Sequence, residues 1–519
     1  MAKGHHPSPT TLWCVKAESW LCHQDLISVH LNQTSRPNLP RVGHLTQFGR
    51  STRQLCRLLL LALFSLCGVV TVTEGAAPPS GSRGRDKESA PTAQVVPGSE
   101  ARATVVFVTR IVNRAETPLR LPRINAHAPV QLPHQDITEL KVEGNPERLA
   151  DRWGAPVLHY QRQELAPGAN LVGRWTAWAT VRRLRWDLGA KTGGSVAALS
   201  PEEQTMYLRD GKELLLGDPV IAAAAEEAAR GKTGTVGVLD GVFGLVMDRL
   251  TYDRDGKWDP APQVLTSGKG SCSEYTYCFI ALCRKNGIPT RYVGGIVGRL
   301  GVPFHLDKVF HRFPQAYLPE VGWVDFDPTR TERANNKRLF FGQTPGPMLL
   351  LSVGDGGEGS LTGTDYLESH SWAGKSTKAS SLRQAWWFSP PPSGVRSKVE
   401  RFRRSLGSTI GEKREGLVAE ALKIGHPFVL PWLDDLLYEP GPRVAAARAC
   451  LKIGGQGELA AVINSLGRLE DAAGDRQIGE LLDQFTGERF GDDRNKWNEW
   501  LKAQTPRTPL PGDEPEKKR

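Results

Sequence analysis

The chain has 519 residues, 39% of them hydrophobic and 24% charged, with a formal net charge of +10. That length exceeds one hydrophobic core and points to roughly three or four domains, and the composition excludes a disordered or collagen-like chain. Basic residues are scattered, as in 181–186 and 399–405, so no nucleic-acid partner is expected. The charge fits a solvated surface, or one that faces an anionic envelope or cell wall.

Residues 1–77 form an N-terminal extension whose first part, with Cys14 and Cys22, shows no periodic pattern. Arg53 and Arg57 precede an apolar run from Leu58 to Val72, and small residues follow through Ala77. Basic flank, apolar core and small residues make the three-part pattern of a secretory signal. The run falls short of the ~20 residues of a membrane span. An exported protein is expected (periplasmic, cell-envelope or extracellular), with its true start near residue 53. An uncleaved signal would leave it membrane-anchored through 58–72. Residues 78–100 are rich in Pro, Ser, Gly and charge, the composition of a disordered linker.

From 103 the texture turns β-like. Segments 103–112, 136–144, 157–165 and 174–186 alternate, or run β-branched and aromatic, between turn signals such as Pro167-Gly168. They predict a small antiparallel β-sandwich over 101–190. Helices follow. Asp218-Pro219 is an N-cap with proline in the first turn, leading into 220–230. A second apolar stretch covers 236–252 and opens into a loop that carries Trp258.

The stretch from Gly268 to Gly287 delivers one cysteine to the start of a helix. Ser271 and Glu274 have capping-box spacing, and Asn286-Gly287 before Pro289 is a stop signal. Cys272 therefore falls at the first helical position, where unpaired N–H groups and the helix dipole favour a thiolate. Segment 309–329 reads as two strands joined at Pro319–Gly322. A hairpin centred near 319 sets His311 opposite Asp327, within ~5 Å. The inference is a Cys272–His311–Asp327 triad of nucleophile, base and orienter. Asp325 competes for the third role. Pro314 cannot donate to a ladder and implies an edge or bulge beside the base.

These two blocks resemble the transglutaminase-like superfamily. Its pattern G-x-C-x-[ED]-[YF] is matched by Gly270 to Tyr275, and its ALCR-x-x-GIP-x-R by 281–291. The later H…Y-L-P…GW…DPT pattern is matched by His311, Tyr317 to Pro319, Gly322-Trp323 and Asp327 to Thr329. The resemblance covers roughly 200–385 and implies a papain-like α+β core, the same three catalytic residues and acyl transfer through a thioester. In some relatives an indole N–H helps to stabilise the oxyanion, which makes Trp258 a candidate for that role. Plain packing or a substrate wall is the favoured reading, because Trp258 lies close to Cys272 in the chain. Two features depart from the family. His311-Arg312-Phe313 replaces the frequent H-x-W, and Ser273 replaces the tryptophan that follows the cysteine in animal crosslinking enzymes.

Segment 339–353 is expected to finish the core sheet, and 354–364, glycine-rich but without a P-loop pattern, to cover the cleft. A catalytic domain over 200–385, a linker over 386–397, helical repeats over 398–504 and a disordered tail over 505–519 complete the division. Residues 421–425 (ALKIG) recur at 450–454 (CLKIG), which suggests HEAT-like paired helices with a docking surface for a protein partner.

The fold class is multidomain α+β: β-sandwich, transglutaminase-like core and helical repeats. Past the signal-like segment Cys272, Cys278, Cys283 and Cys450 remain, too few for a disulfide scaffold. With His305 and His311 they form no zinc spacing, so no metal or other cofactor is expected. His305 is assigned to the surface or the substrate side. The expected function is cysteine-dependent acyl transfer on a protein or peptide substrate, with peptidase or amidase chemistry favoured over protein crosslinking. The alternative is a non-catalytic exported scaffold that binds peptide with the same core and docks a partner through its repeats.

Overall fold

The computed structural model describes residues 93–504, apart from 190–197, 255–256, 300, 333–335, 355–359, 364, 375–377 and 410. All described residues belong to one compact unit. The signal-like segment 58–72, most of the linker 78–100 and the tail 505–519 lie outside the described residues, as does most of the glycine-rich stretch 354–364. No helix among the described residues is long and apolar enough to cross a membrane.

The first strands are β1 (Ala101–Asn113), β2 (Leu119–His127), β3 (Gln135–Glu143), β4 (Glu147–Ala150), β5 (Pro156–Gln161), β6 (Glu164–Leu165) and β7 (Asn170–Val181). Helices α1 (Pro201–Leu208), α2 (Pro219–Ala229), α3 (Gly234–Arg249), α4 (Ala261–Ser267) and α5 (Cys272–Lys285) follow. Then come β8 (Thr290–Val297), β9 (Phe304–Asp307), β10 (His311–Leu318), β11 (Gly322–Asp325), α6 (Pro328–Thr331), β12 (Met348–Gly354), β13 (Glu368–Ala373) and β14 (Ala379–Phe388). The C-terminal helices are α7 (Ser393–Ser408), α8 (Glu415–Ile424), α9 (Leu430–Leu433), α10 (Arg443–Gly454), α11 (Leu459–Ser465), α12 (Ala472–Thr486) and α13 (Arg494–Gln504).

Three antiparallel sheets organise these elements. One has the order β9-β14-β1-β7-β3, a second β13-β2-β5-β4 with β6 beside β2, and the third β11-β10-β8-β12. The first two share a core, with Val105, Phe107 and Ile111 of β1 meeting Ile124 of β2 and Tyr160 of β5. The same core continues into α2, α3 and α5, and through them to the third sheet.

Two expected boundaries need correction. The strands over 101–190 do not close on themselves, because β9, β13 and β14, from far beyond residue 200, complete both of their sheets. A linker from 386 is also overturned: β14 runs to Phe388, pairs with β1 and β9, and buries Trp386, Trp387 and Phe388. The cause is visible in β1, which is buried on both faces from Ala103 onward. Its alternate residues Val106, Val108 and Val112 point away from the first core and into a second one. The C-terminal helices fill that second core with Phe428, Leu430, Leu433 and Leu437. A strand covered on both sides reads as a continuous apolar run and carries no trace of which distant element covers it.

The repeated pentapeptides both close a helix, but one residue out of phase, since the last glycine of the first copy, Gly425, follows its helix and that of the second, Gly454, is still within it. Helix α8 ends before Gly425 (φ +60°) and α10 before Gly455 (φ +57°). The C-terminal segment shares the second core with the sheet instead of standing clear of it, and buried charge in its short turns fastens it there. Arg110 on β1 reaches Asp434 at 2.5 Å and Asp435 at 3.1 Å, with both members of the first pair fully buried. Arg174 on β7 meets Asp435 at 2.5 Å, and Trp386 donates its indole N–H to Glu458 at 2.5 Å. Removing one side of a buried pair strands the other charge. Arg110→Ala is therefore expected to lower unfolding free energy by about 3–5 kcal/mol, read by chemical denaturation at neutral pH.

Candidate active site

Glu274 organises the start of α5. Its carboxylate accepts the Ser271 N–H at 2.6 Å, closing the expected capping box, and the Asp259 N–H at 3.3 Å. The second bond ties the Trp258 loop to the helix that carries the cysteine. Gly268 ends α4 in the left-handed region (φ +71°), and a Cβ on Gly270 would lie 2.8 Å from that of Glu274. Both glycines are thus required for the approach. Cys272 is the first residue of α5 and 7% exposed, so its N–H lies where helices leave donors unpaired. Cys278 and Cys283, read from their spacing as core residues, are fully buried, and burial pushes both thiols up.

His311 opens β10. Before it Phe310 takes φ +60°, a conformation that bulky residues rarely adopt. The turn is held by Asp307, whose carboxylate accepts the N–H groups of Val309 and Phe310 at 2.9 Å and of Val297 at 2.7 Å. From this corner His311 Nε2–H donates to Asp327 Oδ2 at 2.6 Å. The imidazole also lies close enough to the Cys272 thiol for each group to shift the other's titration. The structure brings Cys272, His311 and Asp327 together.

The route to that contact differs from the expected one. Leu318 pairs with Gly322 and Gln315 with Asp325, so the hairpin centres on Glu320, not on 319, and β11 stops at Asp325. Asp327 is not a cross-strand neighbour of His311. It is the N-cap of α6, accepting the Arg330 N–H at 2.9 Å, and its own N–H donates to the Phe340 carbonyl at 3.0 Å. Asp325 belongs elsewhere: it accepts from His134 (2.8 Å), Gln315 (2.7 Å) and Thr344 (2.7 Å). Pro314 lies in a strand flanked by β8 and β11, but at the height where β11 has already ended, so its position is a local edge. Its carbonyl accepts the Phe326 N–H at 3.0 Å. Its missing N–H is therefore aimed to the same side, where β11 has just ended, and the ladder loses nothing there.

Electrostatics shift the thiol and the imidazole in opposite directions. Burial pushes the Cys272 thiol up, but the His311 hydrogen bond and charge, the Arg312 main-chain N–H and the Arg312 charge outweigh it, so the thiol ionises below its ordinary range. Burial alone would lower His311, yet the Asp327 charge and hydrogen bond and the contact with Cys272 raise it to about 9. Together these shifts favour a thiolate–imidazolium pair at neutral pH.

Trp258 is 37% exposed, with its ring 5.2 Å from the Arg312 guanidinium, at the rim of this site. His305 is not in it; it pairs with Trp387 in the first sheet. Sequence reasoning missed the ring of tyrosines that surrounds Arg312: Tyr277, Tyr292 and Tyr366. The only sequence signal was Arg312 itself, standing just before the place of the family's usual tryptophan.

Residues 222–328 match the family model of the transglutaminase-like superfamily, and the chain carries a transglutaminase-like domain. No curated protein matches the chain. Among solved structures it is similar to a Cytophaga hutchinsonii protein presented as a candidate cysteine protease (16% identity, TM-score 0.41), over 57% of this chain and 93% of that one. It is also similar to the periplasmic domain of TgpA from Pseudomonas aeruginosa (18% identity, TM-score 0.27), over 52% of this chain and 88% of that one.

A histidine whose folded pKa is raised stabilises the protein fully below its unfolded value of about 6.5. That contribution is lost as pH rises through about 9. The stability gap between the wild type and His311→Gln is therefore expected to be widest near pH 6 and to shrink toward pH 9, in urea unfolding measured across that range.

Proposed function

We propose that this chain, which carries a transglutaminase-like domain, is a cysteine-dependent acyl-transfer enzyme acting on a carboxamide or peptide bond. One arrangement supports the reading: His311 donates to Asp327 at 2.6 Å and stands close enough to Cys272, at the first turn of α5, for the two groups to shift each other's titration. The Cys272 thiolate attacks the carbonyl carbon and forms a tetrahedral oxyanion. The main-chain N–H of Cys272 at the helix start is suited to receive that oxyanion. His311, as imidazolium, gives its proton to the departing ammonia or amine, and a thioester remains. Water, deprotonated by His311, then releases the acid and restores the thiolate. An amine in place of water would give a new amide. Asp327 holds the imidazole in one orientation throughout. Trp258, exposed at the rim, serves as a wall for the substrate.

Hydrolysis is favoured over amine transfer, and the chain is proposed to be exported through 58–72, on the three-part signal pattern alone. Deleting 53–77 is expected to leave the protein in the cytoplasmic fraction; unchanged fractionation would remove export from the proposal.

Glutamine peptides, with and without a primary amine, test the chemistry through ammonia release and amine incorporation. Cys272→Ala is expected to abolish turnover, and His311→Ala to lower it by about 10²–10⁴-fold. Turnover retained in Cys272→Ala would sink the reading. Peptide binding by a wild type that turns nothing over would favour the scaffold.

A further inference from the structure

The end of α11 and the turn after it gather arginines from four places in the chain. Four consecutive carbonyls there each accept from a different guanidinium. Asn464 accepts from Arg468 Nε at 3.2 Å and Ser465 from Arg443 Nη2 at 3.2 Å. Leu466 accepts from Arg494 Nη1 at 3.4 Å, and Gly467 from Arg114 Nη1. Arg443 opens α10, Arg494 opens α13, and Arg114 directly follows β1.

Of these four, Arg443 is neutralised. It is buried and pairs with Asp475 at 2.6 Å and with Asp471 at 3.3 Å. Arg114, Arg468 and Arg494 have no carboxylate partner among the described residues. Each spends one N–H on a carbonyl, whereas a guanidinium carries five. Arg114 Nε is buried with no partner among the described residues, which is costly unless something accepts from it. Burial and the charges of Arg494 and Arg114 push Arg468 down, so these cations stand close enough to repel one another.

All three line one open pocket of about 390 Å³. Three carboxylates border it as well. Asp475 has both oxygens engaged, one by Arg443 and the other by the Gly467 N–H at 3.1 Å. Asp493 accepts the N–H groups of Asn495 and Lys496 at 3.1 Å and pairs with the Lys496 ammonium at 3.4 Å. Asp492 is exposed at the rim and has no ion pair among the described residues. Positive charge prevails inside, and Asp492 opposes an anion from the edge.

We propose that this pocket binds a small, non-aromatic phosphate compound, with Arg114, Arg468 and Arg494 donating to its oxygens. Guanidinium forks match phosphate oxygens two at a time. Three forks suit a tetrahedral group with three free oxygens better than a planar carboxylate with two. No aromatic ring lines the pocket, so a nucleotide base would find nothing to stack on. The volume falls in the ~300–1,000 Å³ range of small-molecule sites. None of these residues belongs to the Cys272 site, so the inference stands apart from the acyl-transfer reading.

The test is isothermal titration calorimetry of the full chain with pyrophosphate at fixed ionic strength. The proteins are the wild type, Arg468→Gln, Arg494→Gln, Asp492→Asn and Cys272→Ala, with a thermal melt of each. The wild type is expected to bind at one saturable site. Each Gln variant should bind about tenfold more weakly or worse, Asp492→Asn more tightly, and Cys272→Ala like the wild type. Citrate, with carboxylates in place of phosphates, should bind the wild type at least about tenfold more weakly than pyrophosphate. No saturable binding of pyrophosphate, or affinity unmoved in folded Gln variants, would overturn the site. Binding lost in Cys272→Ala would move the ligand to the catalytic residues and overturn it too. Citrate bound as tightly as pyrophosphate would overturn the phosphate assignment. Should neither Gln variant fold, Asp492→Asn decides: tighter binding supports the proposal, and unchanged or weaker binding overturns it.

Discussion

The site depends on where α5 begins, and one carboxylate decides that. Glu274 gathers the N–H groups of Ser271 and Asp259, which stops the helix one residue before Cys272 and pins the Trp258 loop beside it. Without that anchor the sulfur would have no defined height above the sheet. The glycine at 270 follows from the same contact, since any larger residue would push Glu274 away. The local devices at the helix start are thus coupled, and together they fix the place of Cys272.

His311 arrives by a different physical route. His311 stands at a strained corner, after Phe310 in a left-handed conformation, and Asp307 supplies the hydrogen bonds that hold the turn. Asp327 comes from the N-cap of a one-turn helix. Its Oδ1 caps the helix while Oδ2 receives the imidazole. Backbone strain is tolerated where surrounding contacts over-determine the conformation, and here the sheet on one side and α5 on the other do so.

Behind the site, the sheets knit the chain together from positions far apart. Strand β14 lies between β1 and β9, and β13 pairs with β2. The outer face of β1 is closed by C-terminal helices that bring their own buried acids to Arg110 and Arg174. The transglutaminase-like segment is therefore not an independent bead. Its exit strands are structural members of the sheets that precede it, and the helical segment is the cover of those sheets.

Local chemistry was legible in the sequence. The capping box, the glycine approach, the stop at Asn286-Gly287 and the apolar runs of α2 and α3 are short-range patterns, set by backbone hydrogen bonding and side-chain period over a few residues. Cys272, His311 and Asp327 could be named for the same reason: each stands beside a local signal. The partnerships could not be read. Pairing of β1 with β14 spans more than 250 residues, and a strand buried on both faces shows no alternation to reveal its neighbours. The hairpin register, displaced by one residue, moved Asp327 off the strand and onto a helix cap. The aromatic enclosure of Arg312 draws on four distant segments. Sequence period encodes what a residue turns toward, inward or outward, and only the closed fold decides which residue it meets there.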